Sequence, residues 1–368
     1  MIKELIETNC IQIGCFVLKN GQTSKYYYNM KNLISFPELL KKIGDKIYEQ
    51  LGEFDIICGI PYGGLPIATY ISVTYNKPMI IVRDEEKKYG TKKQIEGNYN
   101  SNNKCVIIDD VITTGNSIEN ILNILKTEVN VVKCYAIFDR QQNYNTSMRV
   151  DSLFCKNDVV RYRLEQIKKD KNTDLCFSAD LSDYPKLWNI LDEIGSNIVC
   201  CKIHYDTVEE DYRKTFKEKM INMSIKHNFL IMEDRKFNDI SHIVKKQFKS
   251  FETWVDLITV HSNVSNEVVR MLSGVMLVAN MSNNDYDFSE KAEQLAMENR
   301  TNVIGFITQK RLHKDFISMT PGISILSKKI GDQNYRKISE VDTDIKIVGR
   351  AIYNSVNLKE DMKQLLGN

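Results

Sequence analysis

The sequence predicts an α/β chain of two domains, a mostly parallel, doubly wound sheet in the first half and a (β/α)8 barrel in the second. Short apolar runs of strand length alternate with helical spacing of apolar residues, the pattern that lays helices on the faces of a parallel sheet. From residue 175 onward, eight such runs follow one another in about 200 residues, which matches the lower end of the size of a β/α barrel. The length of 368 residues is more than one core ordinarily serves.

Taken in order, residues 38–51 place Leu39, Leu40, Ile43, Ile47 and Leu51 on one helical face, and residues 54–60 then read as a short buried strand. Further strands are expected at 78–83, 105–109, 131–138 and 149–155, with helices at 65–73, 117–127 and 159–169. The polar stretch 168–173 is short and marks a boundary, which gives domains of 1–170 and 171–368 in a nearly fixed relation. Beyond it the eight runs are 175–179, 198–203, 229–232, 257–260, 275–281, 303–307, 316–319 and 345–348. Helical patterns such as 184–194, 211–226 and 289–299 separate them.

Composition narrows the partners. With 42% hydrophobic and 27% charged residues and a net charge of +2, the chain is globular and lacks the basic field of a nucleic-acid binder. Nine cysteines contain no Cys-x-x-Cys pair, and Cys58, Cys105, Cys176, Cys200 and Cys201 sit in apolar runs, so reduced thiols and a cytoplasmic location are expected. The five histidines have no metal-ligand spacing, which argues against a zinc site. No stretch has the pattern of a signal peptide or the length of a membrane span, so no membrane partner is expected.

The first half concentrates its chemistry in Val106-Ile107-Ile108-Asp109-Asp110-Val111-Ile112-Thr113-Thr114-Gly115-Asn116-Ser117. An apolar strand delivers two adjacent carboxylates to a small, hydroxyl-rich turn that opens a helix. Backbone N–H groups at such a turn suit a phosphate, and paired aspartates suit ribose hydroxyls or a Mg²⁺-bound sugar diphosphate. An ordinary helix capped by Thr113 or Thr114 is the plainer alternative.

This stretch resembles the phosphoribosyl diphosphate signature of the type I phosphoribosyltransferases, and within them the chain is similar to the orotate phosphoribosyltransferases. Phe16-Val17-Leu18-Lys19-Asn20-Gly21 with Ser24-Lys25-Tyr26-Tyr27-Tyr28-Asn29 is similar to that family's N-terminal hood. Residues 83–93 resemble its mobile basic loop, and Phe138-Asp139-Arg140 its carboxylate-gripping strand end. Read alone, the tyrosines are an aromatic edge strand and the loop a solvated charge run. The resemblance implies that Lys19, Arg83, Lys87, Tyr89, Asp109, Asp110, Thr113, Thr114, Gly115, Asn116 and Ser117 bind phosphoribosyl diphosphate. It implies that Tyr27, Tyr28, Thr113 and Arg140 hold orotate, and that Lys87 is a catalytic cation supplied by the neighbouring subunit. Mg²⁺ is then needed for the transfer step, arriving with the diphosphate and without a direct protein ligand set.

In the second half, Glu233-Asp234-Arg235-Lys236-Phe237-Asn238-Asp239 follows the apolar run 229–232 and reads as charged groups at a strand end. By itself it is as easily a surface salt-bridge cluster. Polar residues also punctuate the other strand ends, at Asp180, Lys202, His204, Ser282, Thr320, Gly322, Gly349 and Arg350, and active sites of β/α barrels lie at that face. The set resembles the orotidine 5′-monophosphate decarboxylases across essentially the whole second half. The motifs are Phe177-Ser178-Ala179-Asp180, Lys202-Ile203-His204, residues 233–240, Thr320-Pro321-Gly322 and Ile347-Val348-Gly349-Arg350. That resemblance implies a TIM barrel with Lys202, Asp234, Lys236 and Asp239 as an alternating-charge catalytic set, Asp239 serving the partner's site. It also implies nucleotide binding by Ser178, Asp180, Lys202, His204, Ser282, Pro321, Gln333, Tyr335, Gly349 and Arg350, under a closing loop at 327–337. The chain departs from the family patterns at Asp84, where bacterial transferases have lysine, and at Ile243, where decarboxylases commonly have threonine.

Together the resemblances imply two consecutive steps of de novo pyrimidine biosynthesis on one chain. Phosphoribosyl passes from phosphoribosyl diphosphate to orotate, and the resulting orotidine 5′-monophosphate loses CO₂ to give uridine 5′-monophosphate. Lys236 acts as proton donor, and the decarboxylation uses no cofactor. The implied partners are these small molecules and a second copy of the chain in a homodimer.

Overall fold

The computed structural model describes residues 1–83, 94–141, 144, 146–281, 287–325, 328–330 and 333–367, with 328–330 and 333–334 described by their backbone alone. The chain divides into two units, Met1–Gln12 with Tyr27–Asp158, and Ile13–Tyr26 with Val159–Asn368. The division therefore runs through the two-stranded sheet of β1 (Ile11–Val17) and β2 (Thr23–Tyr28).

The first unit is built on a six-stranded sheet of β3 (Ile56–Gly59), β4 (Met79–Val82), β5 (Ile95–Glu96), β6 (Lys104–Ile112), β7 (Asn130–Asp139) and β8 (Val150–Cys155), in the order β5-β4-β3-β6-β7-β8. All pairings are parallel except that of β4 with β5. Helices cover the strands, so β3 is buried along its whole length and β6 reads as a continuous apolar run until its carboxylates. Ile56, Cys58, Ile80, Ile107, Ile118, Leu122 and Ala136 share its core. The chain winds outward in opposite directions from β3 and β6, and this switch point opens a crevice at their C-terminal ends. β6 continues to Ile112, three residues past its expected end, and the following helix starts at Asn116.

In the second unit all eight expected runs are strands of one closed parallel barrel. They are β9 (Leu175–Ser178), β10 (Cys200–Ile203), β11 (Leu230–Phe237), β12 (Leu257–His261), β13 (Val275–Val278), β14 (Val303–Ile307), β15 (Ile317–Ser324) and, after the hairpin of β16 (Lys328–Ile330) and β17 (Gln333–Lys337), β18 (Ile345–Val348). Pairing of β14 with β15 and of β18 with β9 closes the ring. Alternation along each strand separates two apolar layers. Cys176, Cys200, Leu230, Met232, Leu257, Met276, Met319 and Ile345 fill the interior, while Phe177, Cys201, Ile231, Ile258, Leu277 and Phe306 pack outward against the helices.

The stretch expected to be a linker belongs to the helix Lys156–Lys171 and its exit turn. Val160, Leu164 and Ile167 of this helix join the barrel's interior cluster, so they plug its N-terminal end. Its cations satisfy carbonyls of the segments entering the strands. Arg161 donates to Arg300 and Val303 at 2.5 and 2.8 Å, and Lys168 to Asp344 at 2.7 Å. Lys171 donates to Gly195, Ile198 and His227 at 2.7–2.8 Å.

The segment Ile13–Tyr26 is fixed within this same unit by a buried ionic cluster. Lys25 is fully buried, and its Nζ donates to Asp256 Oδ2 at 2.5 Å. Tyr26 Oη donates to Asp256 Oδ1, Arg163 Nη1 donates to Tyr26 Oη at 2.7 Å, and the Ile231 N–H donates to Asp256 Oδ2 at 2.7 Å. Burial pulls Lys25 down to about 8 against the attraction of Asp256. The Lys25 N–H and the Ser24 hydroxyl both donate to the Thr253 carbonyl, at 3.0 and 3.1 Å.

Candidate active site

Strand β11 passes the point where its apolar run ends at Met232 and carries the charged residues on to Phe237. Its pairing with β12 slips between Glu233 and Phe237, and Lys236 there adopts φ +54°, a left-handed conformation that costs a lysine on the order of 1–3 kcal/mol. The Lys236 N–H is held at that point by Thr259 Oγ1, at 2.9 Å. This distortion aims Lys236 Nζ at Asp234 Oδ2, 2.8 Å away.

Asp234 is the hub. Lys202 Nζ donates to the same Oδ2 at 2.7 Å, and the buried Thr259 hydroxyl donates to Oδ1 at 2.8 Å. Burial favours the neutral acid, yet Lys202, Lys236 and His204 outweigh it and hold the Asp234 carboxyl well below the usual carboxylate range. Burial likewise opposes the charge on Lys202, but Asp234 and Asp180 outweigh it and raise that ammonium's pKa. Asp180 Oδ1 lies 3.4 Å from Lys202 Nζ, and its Oδ2 accepts from Ser178 Oγ at 2.8 Å. His204 Nε2 is 3.1 Å from Lys202 Nζ, and burial followed by the Lys202 charge lowers its pKa, which favours the neutral imidazole at pH 7.

These groups line a cavity of about 460 Å³ at the C-terminal mouth of the barrel. Ser178, Asp180, Lys202, His204, Asp234, Lys236, Pro321, Tyr335, Gly349 and Arg350, all expected from the sequence, come together in it. Met281, Ile307, Ile323 and Ile347 supply apolar wall suited to a flat ring. Away from the Lys202–Asp234–Lys236 set, Arg350 lies beside Tyr335 and Tyr353, whose influence raises its pKa, and it offers the only guanidinium among the described lining residues. Gly349 approaches Ser178 so closely that a Cβ would lie 3.2 Å from the serine Cβ.

Asp239 is exposed and outside this cavity, its Oδ1 accepting from the Ile240 N–H at 2.7 Å. Thr320, although part of a family motif, is buried and shares its hydroxyl with Thr343 at 2.8 Å. Ser282 and the Gln333 side chain lie outside the described residues. Thr259, Met281 and Tyr353 were not singled out in the sequence. For Thr259 the signal was present, as a hydroxyl inside the apolar run Leu257-Ile258-Thr259-Val260.

In the first unit, the crevice between β3 and β6 holds the acidic pair. Asp109 is buried and its Oδ1 accepts from the Asp110 N–H at 2.8 Å. Burial, then the neighbouring Asp110 charge, pushes Asp109 up to about 8. The loop after β3 lies flat on this strand end. A Cβ at Gly63 would fall 2.1 Å from the Asp110 carboxylate, and one at Gly64 would fall 2.2 Å from the Ile108 carbonyl oxygen. Gly115, at φ +81°, turns the chain from β6 into the helix Asn116–Leu125, where a threonine cap was the alternative. Thr113 is half-buried, and Thr114, Asn116 and Ser117 are exposed around that turn.

Tyr28 stacks on Phe138 with ring centroids 4.3 Å apart, and the Arg140 guanidinium lies 5.7 Å from the Tyr28 ring centroid. Tyr27 is exposed, and Lys19 is exposed in the segment assigned to the second unit. Arg83 Nη2 pairs with Glu96 at 2.9 Å, and Lys87, Tyr89 and Asp84 lie outside the described residues. Among the described residues, no three His, Cys, Asp or Glu side chains gather as a metal cage. The glycine-lined crevice beside Asp110 leaves room for a Mg²⁺ ion that arrives on a diphosphate and keeps its waters and phosphate ligands. No helix among the described residues is long and apolar enough to cross a membrane.

Two family models match the chain. The phosphoribosyl transferase domain covers residues 29–162, and the orotidine 5′-phosphate decarboxylase / HUMPS family covers residues 173–365. Over 99% of its length the chain is 30% identical to uridine 5′-monophosphate synthase of Bos taurus, of which it covers 95%. The orotate phosphoribosyltransferase of Methanocaldococcus jannaschii is 36% identical over 42% of this chain and 88% of its own length. The orotidine 5′-phosphate decarboxylase of Pichia kudriavzevii is 34% identical over 53% of this chain and 85% of its own.

Proposed function

The chain belongs to the uridine 5′-monophosphate synthase family, a bifunctional enzyme of pyrimidine biosynthesis, and from that premise we propose how its own residues carry the two steps. The residues of phosphoribosyl transfer fall in 1–170 and those of decarboxylation in 171–368.

For transfer, Asp109 and Asp110 take the ribose hydroxyls of phosphoribosyl diphosphate, and the turn at Thr113–Ser117 takes its 5′-phosphate through backbone N–H groups. Tyr28 and Arg140 receive the orotate ring and carboxylate, with Tyr27 and Thr113 beside them. Lys19, Arg83 and, from the loop, Lys87 neutralise the departing diphosphate, and Tyr89 donates a hydrogen bond to it. Mg²⁺, when bound with the diphosphate, adds charge neutralisation at that leaving group.

For decarboxylation, the observation that carries the reading is the Lys202–Asp234–Lys236 set, with both ammonium groups on one carboxylate oxygen at 2.7 and 2.8 Å. An anionic Asp234 repels a substrate carboxylate placed beside it, and Lys236 stabilises the carbanion left at C6 and delivers its proton. Lys202 keeps Asp234 ionised through the cycle. Asp180 and His204 hold the ribose, while Tyr335, Gly349 and Arg350 hold the phosphate, whose binding energy fixes the ring against the charged set. The protein's own groups suffice for this step, so no cofactor is invoked. The buried free thiols of Cys58, Cys105, Cys134, Cys176, Cys200 and Cys201 support a cytoplasmic location, which cell fractionation checks.

Exposed Asp239 serves the partner's cavity in a homodimer. Lys236→Ala is expected to abolish decarboxylation and leave transfer intact, and Asp239→Asn to do the same. Mixing the two variants restores decarboxylation, because one cavity of each heterodimer is then complete. Loss of both activities in folded Lys236→Ala, or no recovery on mixing, contradicts the proposal.

A further inference from the structure

One acid beside the charged set has no part in the chemistry above. Glu233 alternates with Met232 and Asp234, which face the barrel interior, so its own side chain points into the layer between strands and helices. There it is fully buried. Its Oε2 accepts from the Tyr205 N–H at 2.9 Å, and its Oε1 has no hydrogen-bond partner among the described residues.

Tyr205 begins the short turn Tyr205–Thr207 that immediately follows His204. The turn is closed on the His204 carbonyl by the Thr207 hydroxyl at 2.7 Å and the Thr207 N–H at 3.1 Å. The Tyr205 ring packs edge-on against Trp254, with centroids 5.0 Å apart. A second tie from β11 reaches the same turn, since Arg235 pairs with Asp206. In register, Glu233 stands opposite Ile203, so its carboxyl is level with the residue that precedes His204.

We propose that Glu233 is a positioning residue for the nucleotide, its buried carboxyl clamping the backbone behind His204 so that the imidazole stays beside Lys202 and Asp180. An apolar residue in its place would fill the layer but leave the Tyr205 N–H without an acceptor. Burial outweighs the Tyr205 N–H, which favours the charged form, and with Asp206 and Asp234 adding to it against Lys202 pushes Glu233 up to about 8. A neutral carboxyl can therefore make this hydrogen bond at pH 7 without adding a second negative charge next to Asp234. The inference rests on the reading that His204 holds the ribose.

The test uses the full chain with Glu233→Met, Glu233→Asp and Glu233→Gln, and His204→Ala as control, with KM and kcat for orotidine 5′-monophosphate measured in each. Loss of the clamp is expected to raise KM about tenfold in Glu233→Met and Glu233→Asp with kcat changed by less than about threefold. Glu233→Gln, whose amide oxygen can still accept, returns KM to within about threefold of wild type. Phosphoribosyl transfer is unchanged throughout. A role confined to stability would lower the melting temperature without separating KM from kcat. A wild-type KM in Glu233→Met, or no rescue by glutamine, overturns the inference. Should the methionine variant fail to fold, the aspartate and glutamine pair decides by the same criterion. An unchanged KM in His204→Ala defeats the ribose reading and the clamp with it, whereas a raised KM there beside an unchanged Glu233→Met or Glu233→Asp defeats the clamp alone.

Discussion

Adjacent residues of β11 titrate in opposite directions because they face opposite sides of the barrel wall. Asp234 meets two ammonium groups and is held low, while Glu233 meets apolar packing and a single N–H and is pushed high. For Asp234 the depressed native pKa contributes stability above its unfolded value, which is lost as pH falls. For Glu233 the sign is reversed. Its native pKa of about 8 lies above the ordinary 4.5, so the unfolded chain releases this proton first and stability declines as pH rises between those values. Glu233→Gln removes that dependence. In thermal unfolding, the melting temperature of the variant relative to wild type is expected to rise from about pH 5 to about pH 8 and then level off, and a constant difference would refute it. The charges of this site were legible only in company: residues 233–239 alone read as a surface salt-bridge cluster, and it is the polar residues at the other strand ends that give them a shared face. Thr259 left only a faint signal, a hydroxyl inside an apolar run, because a threonine in a strand also reads as an ordinary β-former.

At the scale of elements, the loop after β3 shows how close approach of backbone prepares a site. Gly63 and Gly64 leave no room for a side chain between the loop and the end of β6. Gly63→Ala is expected to raise the KM for phosphoribosyl diphosphate by at least about tenfold and leave decarboxylation untouched, because the new methyl displaces either the loop or the Asp110 carboxylate. Equal KM values in variant and wild type would show that the crevice tolerates the methyl. The eight barrel strands could be read from the chain because parallel strands buried on both faces are continuous apolar runs. The helix Lys156–Lys171 was only half legible. Its lysines look solvated in sequence, yet Lys168 and Lys171 donate to carbonyls at the base of the barrel, contacts that no local pattern encodes.

For the whole molecule, the least legible feature is that residues 13–26 belong to the same unit as the barrel. Only the fold brings Lys25 to Asp256, more than two hundred positions away. Breaking a buried ion pair from one side leaves a charge that cannot reach water, at a cost of about 3–5 kcal/mol. Lys25→Met is expected to lower the urea midpoint of the second unit accordingly, followed by the fluorescence of Trp188 and Trp254, the two tryptophans of the chain, both in that unit. An unshifted midpoint would mean that Arg163 and Tyr26 alone satisfy Asp256.

The origin of Lys25 also bears on descent. A lineage that dispensed with orotate transfer by deleting the front of this gene would take Lys25, Tyr26 and the plugging helix away from the decarboxylase in the same event. The fusion thus behaves as a ratchet. Truncation at the front is therefore felt by the barrel itself, which would lose both the partner of Asp256 and the helix that fills its N-terminal end.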